Sequence, residues 1–328
     1  TSHIDDLEGI ILMTEDGHDV QNSLVMLDAM SKASVKGAIV SCHCEDESFN
    51  AQAKELRKNA LENYAKVENS GDKDNYNDDE NLSLIQAESF MEEANNLLAL
   101  AEDNATERNI ELAKNANCKI HLAHVSTARS MQAVKRGQQV ANLNGKNGCV
   151  TCEVTPHHFG LDVTENRENL KYVVNPPIRT KEDRLALIKE LCDETNDNIV
   201  ISTDHAPHTM QDKLNGAPGF PGLETAFAVA NTILAKENGA SIKRLSKLMS
   251  ANPARILELD QDRTFGDAPI GHLKPNYKAN LVLVDTEEQW TVDSTKFFTK
   301  GAMCPFEGME LTGKVLATWF RGEQVFKV

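Results

Sequence analysis

Three apolar runs end on residues that can bind a metal or move a proton. They are His43 in His-Cys-Glu-Asp, His124 in His-Val-Ser-Thr and Asp204 in Thr-Asp-His-Ala-Pro-His. Imidazole and carboxylate are ligands that zinc and related divalent ions accept. Asp16, in Thr-Glu-Asp-Gly after a fourth run, adds another carboxylate. A single His at a strand end is most often a hydrogen-bonded structural residue. Three such endings in order, together with Asp16, point to side chains that converge on one mouth.

These residues need elements to carry them. Segments 9–16, 36–46, 118–127, 149–158 and 198–208 are β-rich, and helical patterns lie at 22–33, about 104–117, 127–137 and 181–193. Strands alternating with helices imply βαβ units and a parallel sheet. Thr127 and Thr180 read as N-caps, with Gly137 as the stop of the first helix. In a (β/α)₈ barrel the chemistry sits at the C-terminal strand ends, which is where these residues fall. A Rossmann-like sheet would carry a glycine-rich phosphate turn, and neither G-x-G-x-x-G nor a P-loop pattern is present. A barrel is therefore expected, although five of its eight strands are visible. Residues 64–80 are acidic and aperiodic and read as a solvated loop, and 83–101 look helical again. After 258 short strands with turn signals take over, so residues 1–258 are expected to form the barrel domain and 259–328 part of a small β-sandwich.

Composition narrows the class. The 328 residues carry 34 Lys+Arg against 50 Asp+Glu, a net charge of −16. That balance disfavours nucleic-acid partners, which need a basic face, and electrostatic binding to a membrane. No run reaches the roughly 18 apolar residues of a membrane span, and no signal peptide is visible at the start. The seven cysteines are odd in number and sit mostly in strand-like runs. They read as reduced thiols of a cytoplasmic protein. Cys149 and Cys152 form a C-x-x-C inside a strand pattern, and no second such pair exists to complete a Cys₄ zinc site.

The runs MTEDG, HCED, HLAHVST, VTCEVTPHHFGL, VNPPIRTKEDRLALI, STDHAPHT and PGFPGLET resemble the dihydroorotases of the amidohydrolase superfamily, in the bacterial class I branch. ANPARIL and CPFEGMELTGKV extend the likeness to the C-terminal part. The resemblance implies a metal-dependent (β/α)₈ barrel, strands four to eight of which are visible here, with a small β-sandwich domain. It implies zinc, one or two ions per chain, held by Asp16, His43, His124 and Asp204. Asp204 would also be the catalytic acid/base. Substrate contacts would fall on Asn175, on His208 and on the backbone of Pro218 and Gly219. The implied reaction is the reversible cyclisation of N-carbamoyl-L-aspartate to L-dihydroorotate in pyrimidine biosynthesis. A homo-oligomer is expected, with aspartate transcarbamoylase as a candidate partner.

The departure is at the start. The family pattern opens with H-x-H-x-R, and here the nearest motif is His121-x-x-His124. The opening TSHIDDLEG reads as the helix before strand four, so three βα units of about 30 residues each are absent. A five-stranded barrel would expose long edges, and the sequence is read as part of a longer chain. Two other readings stay open. A hydantoinase or allantoinase would carry a lysine after strand four, where this chain has Thr-Glu-Asp-Gly. A ligand-depleted, inactive partner of aspartate transcarbamoylase would have no need of all four metal-binding residues. Among smaller features, Glu153 can orient a ligand, Arg179 reads as a surface salt bridge or an anion contact, and Glu224 as a cap or strut. Cys42 and Cys44 read as packing thiols.

Overall fold

In a computed structural model, which describes residues 3–328 except 15, 16, 18, 69–76, 147, 165–172, 262–267 and 302, five short apolar runs form one parallel sheet. They are β1 (Leu12–Thr14), β2 (Ile39–Cys42), β3 (Lys119–Leu122), β4 (Val150–Val154) and β5 (Ile199–Ile201), in spatial order β1-β2-β3-β4-β5. Neighbours align Ile39 with Lys119, Ile120 with Val150 and Cys152 with Ile199. Strands β2 to β5 are buried along almost their whole length. That is the pattern of parallel strands covered on both faces, and it is why they read as continuous apolar runs. Sequential parallel strands joined by helices are the (β/α)-barrel arrangement. Cys42 and Cys44 pack in the main core with Met30, Ile120 and Leu122.

The crossovers are helical. Helix α1 (Ser23–Val35) is capped by Asn22, whose side chain accepts from Leu24 and Val25 N–H. Helices α2 (Asn50–Glu68) and α3 (Asp78–Ala116) form a hairpin between β2 and β3. The expected loop at 64–80 is therefore corrected in part: α2 runs through 68 and α3 starts at 78, while 69–76 lie outside the described residues. The segments expected at 83–101 and 104–117 are one 39-residue helix. Its start is sealed by a capping box between Asn77 and Glu80. Small residues let the two helices approach: Ala53 packs with Ala94 and Leu98, and Ala60 and Met91 enclose Val173.

Helix α4 (Ala128–Leu143) starts at the expected Thr127 cap but passes through Gly137. A Cβ there would lie 3.0 Å from Ile110 Cγ2, so this glycine marks where α4 crosses α3 and not a helix end. Short α5 (Pro156–Gly160) follows β4, and α6 (Lys181–Leu191) begins with the expected Thr180 cap, reciprocated by Asp183. After β5 come α7 (Met210–Leu214) and α8 (Ala226–Ala230), the latter prolonged by a π-helical segment, Asn231–Glu237.

The tail forms a separate antiparallel sheet, β6 (Leu281–Thr291), β7 (Glu310–Phe320) and β8 (Glu323–Lys327). Strand β6 is continuous, with register shifts against β7 at Leu283/Val284 and Asp285/Gln289. Among the described residues this is the one antiparallel sheet, so it supplies one layer of the expected sandwich. It docks on the barrel through Asn231, whose amide donates to the Thr286 and Thr312 carbonyls.

Candidate active site

The candidate residues His43, His124 and Asp204 lie just beyond the ends of β2, β3 and β5. Backbone pairing continues just beyond the strands: Ala123 N–H reaches Cys42 O and Ser202 N–H reaches Val154 O. His43 and His124 thereby meet, with Nδ1 of His43 2.7 Å from Nε2 of His124 and their rings edge to face. His124 and Asp204 both have left-handed backbones, φ 33° and 44°. For residues other than glycine this conformation costs on the order of 1–3 kcal/mol and collects at functional sites.

Carboxylates stand beside both residues. His43 Nε2–H donates to Glu45 Oε2 at 3.0 Å, which leaves Nδ1 as the lone-pair nitrogen. Glu153 of β4 accepts from His121 Nε2 at 3.1 Å and from the His124 backbone N–H at 3.3 Å. Burial alone raises the Glu153 carboxyl, but His121 and His124 outweigh it and hold the group below its ordinary value. Burial pushes the His124 imidazole down and His43 adds to this, while the charge of Asp204 pulls the other way.

The donor set suits a divalent ion. Two nitrogens at about 2.0–2.1 Å from a tetrahedral ion lie roughly 3.3 Å apart, so the imidazole pair would open by about 0.6 Å from its 2.7 Å contact. Nδ1 of His124 is buried without a partner among the described residues. Those residues contain no group of three or more His, Cys, Asp and Glu arranged to hold a metal. Asp16, the expected fourth ligand, lies outside the described residues. Asp19, three residues later, is gripped by Arg108 Nη2 and Asn109 Nδ2, both at 2.9 Å.

The expected substrate contacts form a second group. His208 Nε2–H donates to Pro218 O at 2.8 Å, and Gly219 N–H donates to Val173 O at 3.1 Å. A Cβ on Gly219 would lie 2.7 Å from Ala206 O, at φ +128°, so the loop needs glycine there. Asn175 begins a cis Asn-Pro bond and accepts at Oδ1 from Arg57 Nη1 at 2.6 Å.

Two cations were not legible as site residues. Arg57 lies in charged α2, and Lys213 in the short segment MQDKL, with no motif to mark either. Yet Lys213 is fully buried, donating to Val173, Ala217 and Gly219 carbonyls at 2.6–2.8 Å under the Phe220 ring. Burial pushes its ammonium down to about 8. Of the two carboxylates near the imidazoles, Glu153 was expected from the sequence, and Glu45, two residues past His43 in HCED, was not singled out.

Arg179 is not the expected surface ion pair. It is buried against Glu102 and Ser126 and donates to the Asn95 and Leu98 carbonyls. Glu224 is the expected strut, accepting from Phe298 and Thr299 N–H. His158 hydrogen-bonds Thr155 and the Pro176 carbonyl.

The amidohydrolase family profile matches residues 8–325. The dihydroorotase of Clostridium botulinum is 36% identical over 315 residues, covering 96% of this chain and 63% of that protein. The dihydroorotase of Fusobacterium nucleatum is 33% identical over 320 residues, with 96% and 64% covered. The chain therefore spans less than two thirds of the length of these curated relatives. Among solved structures, an L-hydantoinase from Arthrobacter aurescens superposes with a TM-score of 0.74 at 22% identity, over 97% of this chain and 64% of that one. A dihydropyrimidinase from Brevibacillus agri gives 0.70 at 20%, over 99% and 65%. At those identities the structural likeness is one of fold. No helix among the described residues is long and apolar enough to cross a membrane. A family match that runs across nearly the whole sequence, with imidazoles meeting at the strand ends of a parallel sheet, places this chain in the amidohydrolase family.

Proposed function

We propose that the protein is a dihydroorotase, interconverting N-carbamoyl-L-aspartate and L-dihydroorotate for pyrimidine biosynthesis in the cytoplasm. The observation that carries the reading is the convergence of His43 Nδ1 on His124 Nε2, with Glu45 fixing the first ring. The similarity to dihydroorotases over 96% of the chain supports it. His43, His124, Asp204 and Asp16 would hold one or two zinc ions. When bound, such an ion supplies Lewis acidity, which makes a nucleophile of water at neutral pH and polarises a carbonyl.

The chain's own groups do the rest. In the hydrolytic direction water oxygen joins the ring amide carbon and the carbon–nitrogen bond breaks. Asp204 takes the proton from water and returns it to the departing nitrogen. Cyclisation reverses these steps. His208, Asn175 and the Pro218–Gly219 backbone position the substrate, so that the reacting carbonyl is held against the imidazole pair. A homo-oligomer, and a complex with aspartate transcarbamoylase, belong to the same reading.

The test is an assay of zinc-loaded protein, full-length if the chain extends further, with dihydroorotate and carbamoyl aspartate. Turnover of both is expected. Faster hydrolysis of hydantoin or allantoin would replace this reading with that of another cyclic-amide hydrolase. No turnover, with binding to aspartate transcarbamoylase, would make the chain a scaffold.

A further inference from the structure

His124 opens a turn in which the N–H groups of four consecutive residues are held by two glutamates. Glu153 of β4 accepts from His124 N–H through Oε1 at 3.3 Å, and its backbone carbonyl accepts from Val125 N–H at 2.9 Å. Glu102 of α3 accepts from Ser126 and Thr127 N–H through Oε1, at 2.8 and 3.1 Å. Its Oε2 accepts from the Ser126 hydroxyl and, at 3.1 Å, from Arg179 Nη2. Arg179 is pinned in turn. Its Nε donates to Ser126 Oγ at 2.9 Å, and Nη1 and Nη2 donate to the Asn95 and Leu98 carbonyls of α3. Glu102, Ser126 and Arg179 are all buried. A buried carboxylate that answers four donors has little freedom to move.

Glu102 is not needed to start α4. Thr127 caps that helix with its own side chain, which accepts from Ser130 N–H, and Asp103 accepts from the hydroxyls of Thr127 and Ser130. What Glu102 holds is the link between the end of β3 and the helix. His124 has a left-handed backbone, φ 33°, which a residue other than glycine keeps only where its surroundings impose it. Freed at Ser126 and Thr127, the turn would relax toward an unstrained φ and carry Nε2 away from His43 Nδ1, now 2.7 Å from it.

We infer that Glu102, locked by Arg179, is a positioning residue that holds the turn of His124 so that its imidazole meets that of His43. The inference rests on the reading of this pair as metal ligands and extends it. The long helix inserted between β2 and β3 then helps to set the geometry of the metal site, although none of its side chains is a ligand in that reading.

The test uses the full-length protein if the chain extends further. Zinc affinity is measured by competition with a chromogenic chelator, and ligand geometry by the visible spectrum of the cobalt-loaded protein. Turnover of dihydroorotate at saturating zinc is followed in parallel. Glu102→Gln keeps one acceptor but turns an NH₂ toward donors. It should weaken zinc about tenfold, the lower end of what loosening an outer partner of a ligand costs, and shift the cobalt bands. Asp103→Asn, next in the helix, disturbs the α4 cap but not the backbone N–H groups of the turn. It should lower stability in urea and leave zinc affinity and the cobalt spectrum unchanged. Should Glu102→Gln not fold, Arg179→Lys, which keeps the charge but not the fork, should weaken zinc in the same sense. Wild-type affinity and cobalt bands in the folded variant overturn the inference. So does an equal zinc loss in Asp103→Asn, which would reflect a general loosening of α4. A wild type that binds zinc but does not turn over dihydroorotate overturns the dihydroorotase reading, while the zinc and cobalt measurements still decide the inference. A wild type that binds no zinc overturns both.

Discussion

Nδ1 of His43 lies 2.7 Å from Nε2 of His124, a residue 81 positions away in the chain. Two adjacent strands, β2 and β3, bring the rings together, and the 39-residue α3 lies in the connection between them. The pair is the nucleus of the proposed metal site; Glu45 holds the His43 ring, and Glu153 holds the His124 backbone N–H.

Removing either imidazole should therefore remove the metal. His43→Ala and His124→Ala are each expected to lose most of the bound zinc in elemental analysis of folded protein. Glu45→Gln should keep the ion but weaken it about 10- to 100-fold, the usual effect of loosening a ligand's orienting carboxylate. Cys149→Ser should leave zinc content alone; a large loss there would shift the metal to the C-x-x-C.

Asp204 is expected to carry the proton. Asp204→Asn keeps the shape and an oxygen but cannot accept a proton at neutral pH. Loss of a general acid/base costs about 10²–10⁴-fold, so dihydroorotate hydrolysis should fall about a thousandfold with the fold intact and zinc largely retained. More than about a tenth of wild-type rate would remove Asp204 from the proton path.

Lys213 ties together the Val173, Ala217 and Gly219 carbonyls. Lys213→Met fills the space but takes the ammonium from all three carbonyls, while Val173 O keeps the Gly219 N–H. A loss of about 2–4 kcal/mol in urea unfolding is expected from unsatisfied buried acceptors. A variant as stable as wild type would show that solvent reaches the loop freely.

His158 makes stability depend on pH. Burial pushes its imidazole down from 6.5 to about 3, and its hydrogen bond to the Pro176 carbonyl does not offset this. Between those two values the unfolded chain binds a proton that the folded chain refuses. Stability contributed by neutral His158 is thus complete above about pH 6.5 and falls as the pH drops toward 3. The slope is about 1.4 kcal/mol per pH unit for one such group. Unfolding free energies measured from pH 6 to 4.5 should show that slope, and His158→Gln should flatten it by that amount. His157, also buried and depressed, adds in the same sense.

Much of the arrangement was legible because it is local. A strand buried on both faces must be apolar throughout, so β2 to β5 stand out, and a polar residue at the strand's last position is conspicuous. Thr127 and Thr180 announce helix starts through hydroxyls that answer unsatisfied N–H groups three residues on. What misled was also local. Gly137 has the look of a stop, yet it is small because α3 crosses α4 there. The acidic stretch 64–80 shows no apolar stripe of its own, yet its first residues continue α2, and Tyr64 packs beside Ala60 and Met91.

The strand ends that carry His43, His124 and Asp204, the caps, and the proximity of His208 to Pro218–Gly219 follow from the order of residues along the chain. Only the tertiary structure decided the fate of the cations. Arg57, Arg179 and Lys213 are ordinary surface residues by type and neighbourhood, and all three turn inward to backbone carbonyls or buried polar partners. A charged side chain is buried only when distant segments converge to satisfy its donors. That convergence, of 173–175 with 217–219 around Lys213 and with α2 at Arg57, is a property of no single stretch of sequence.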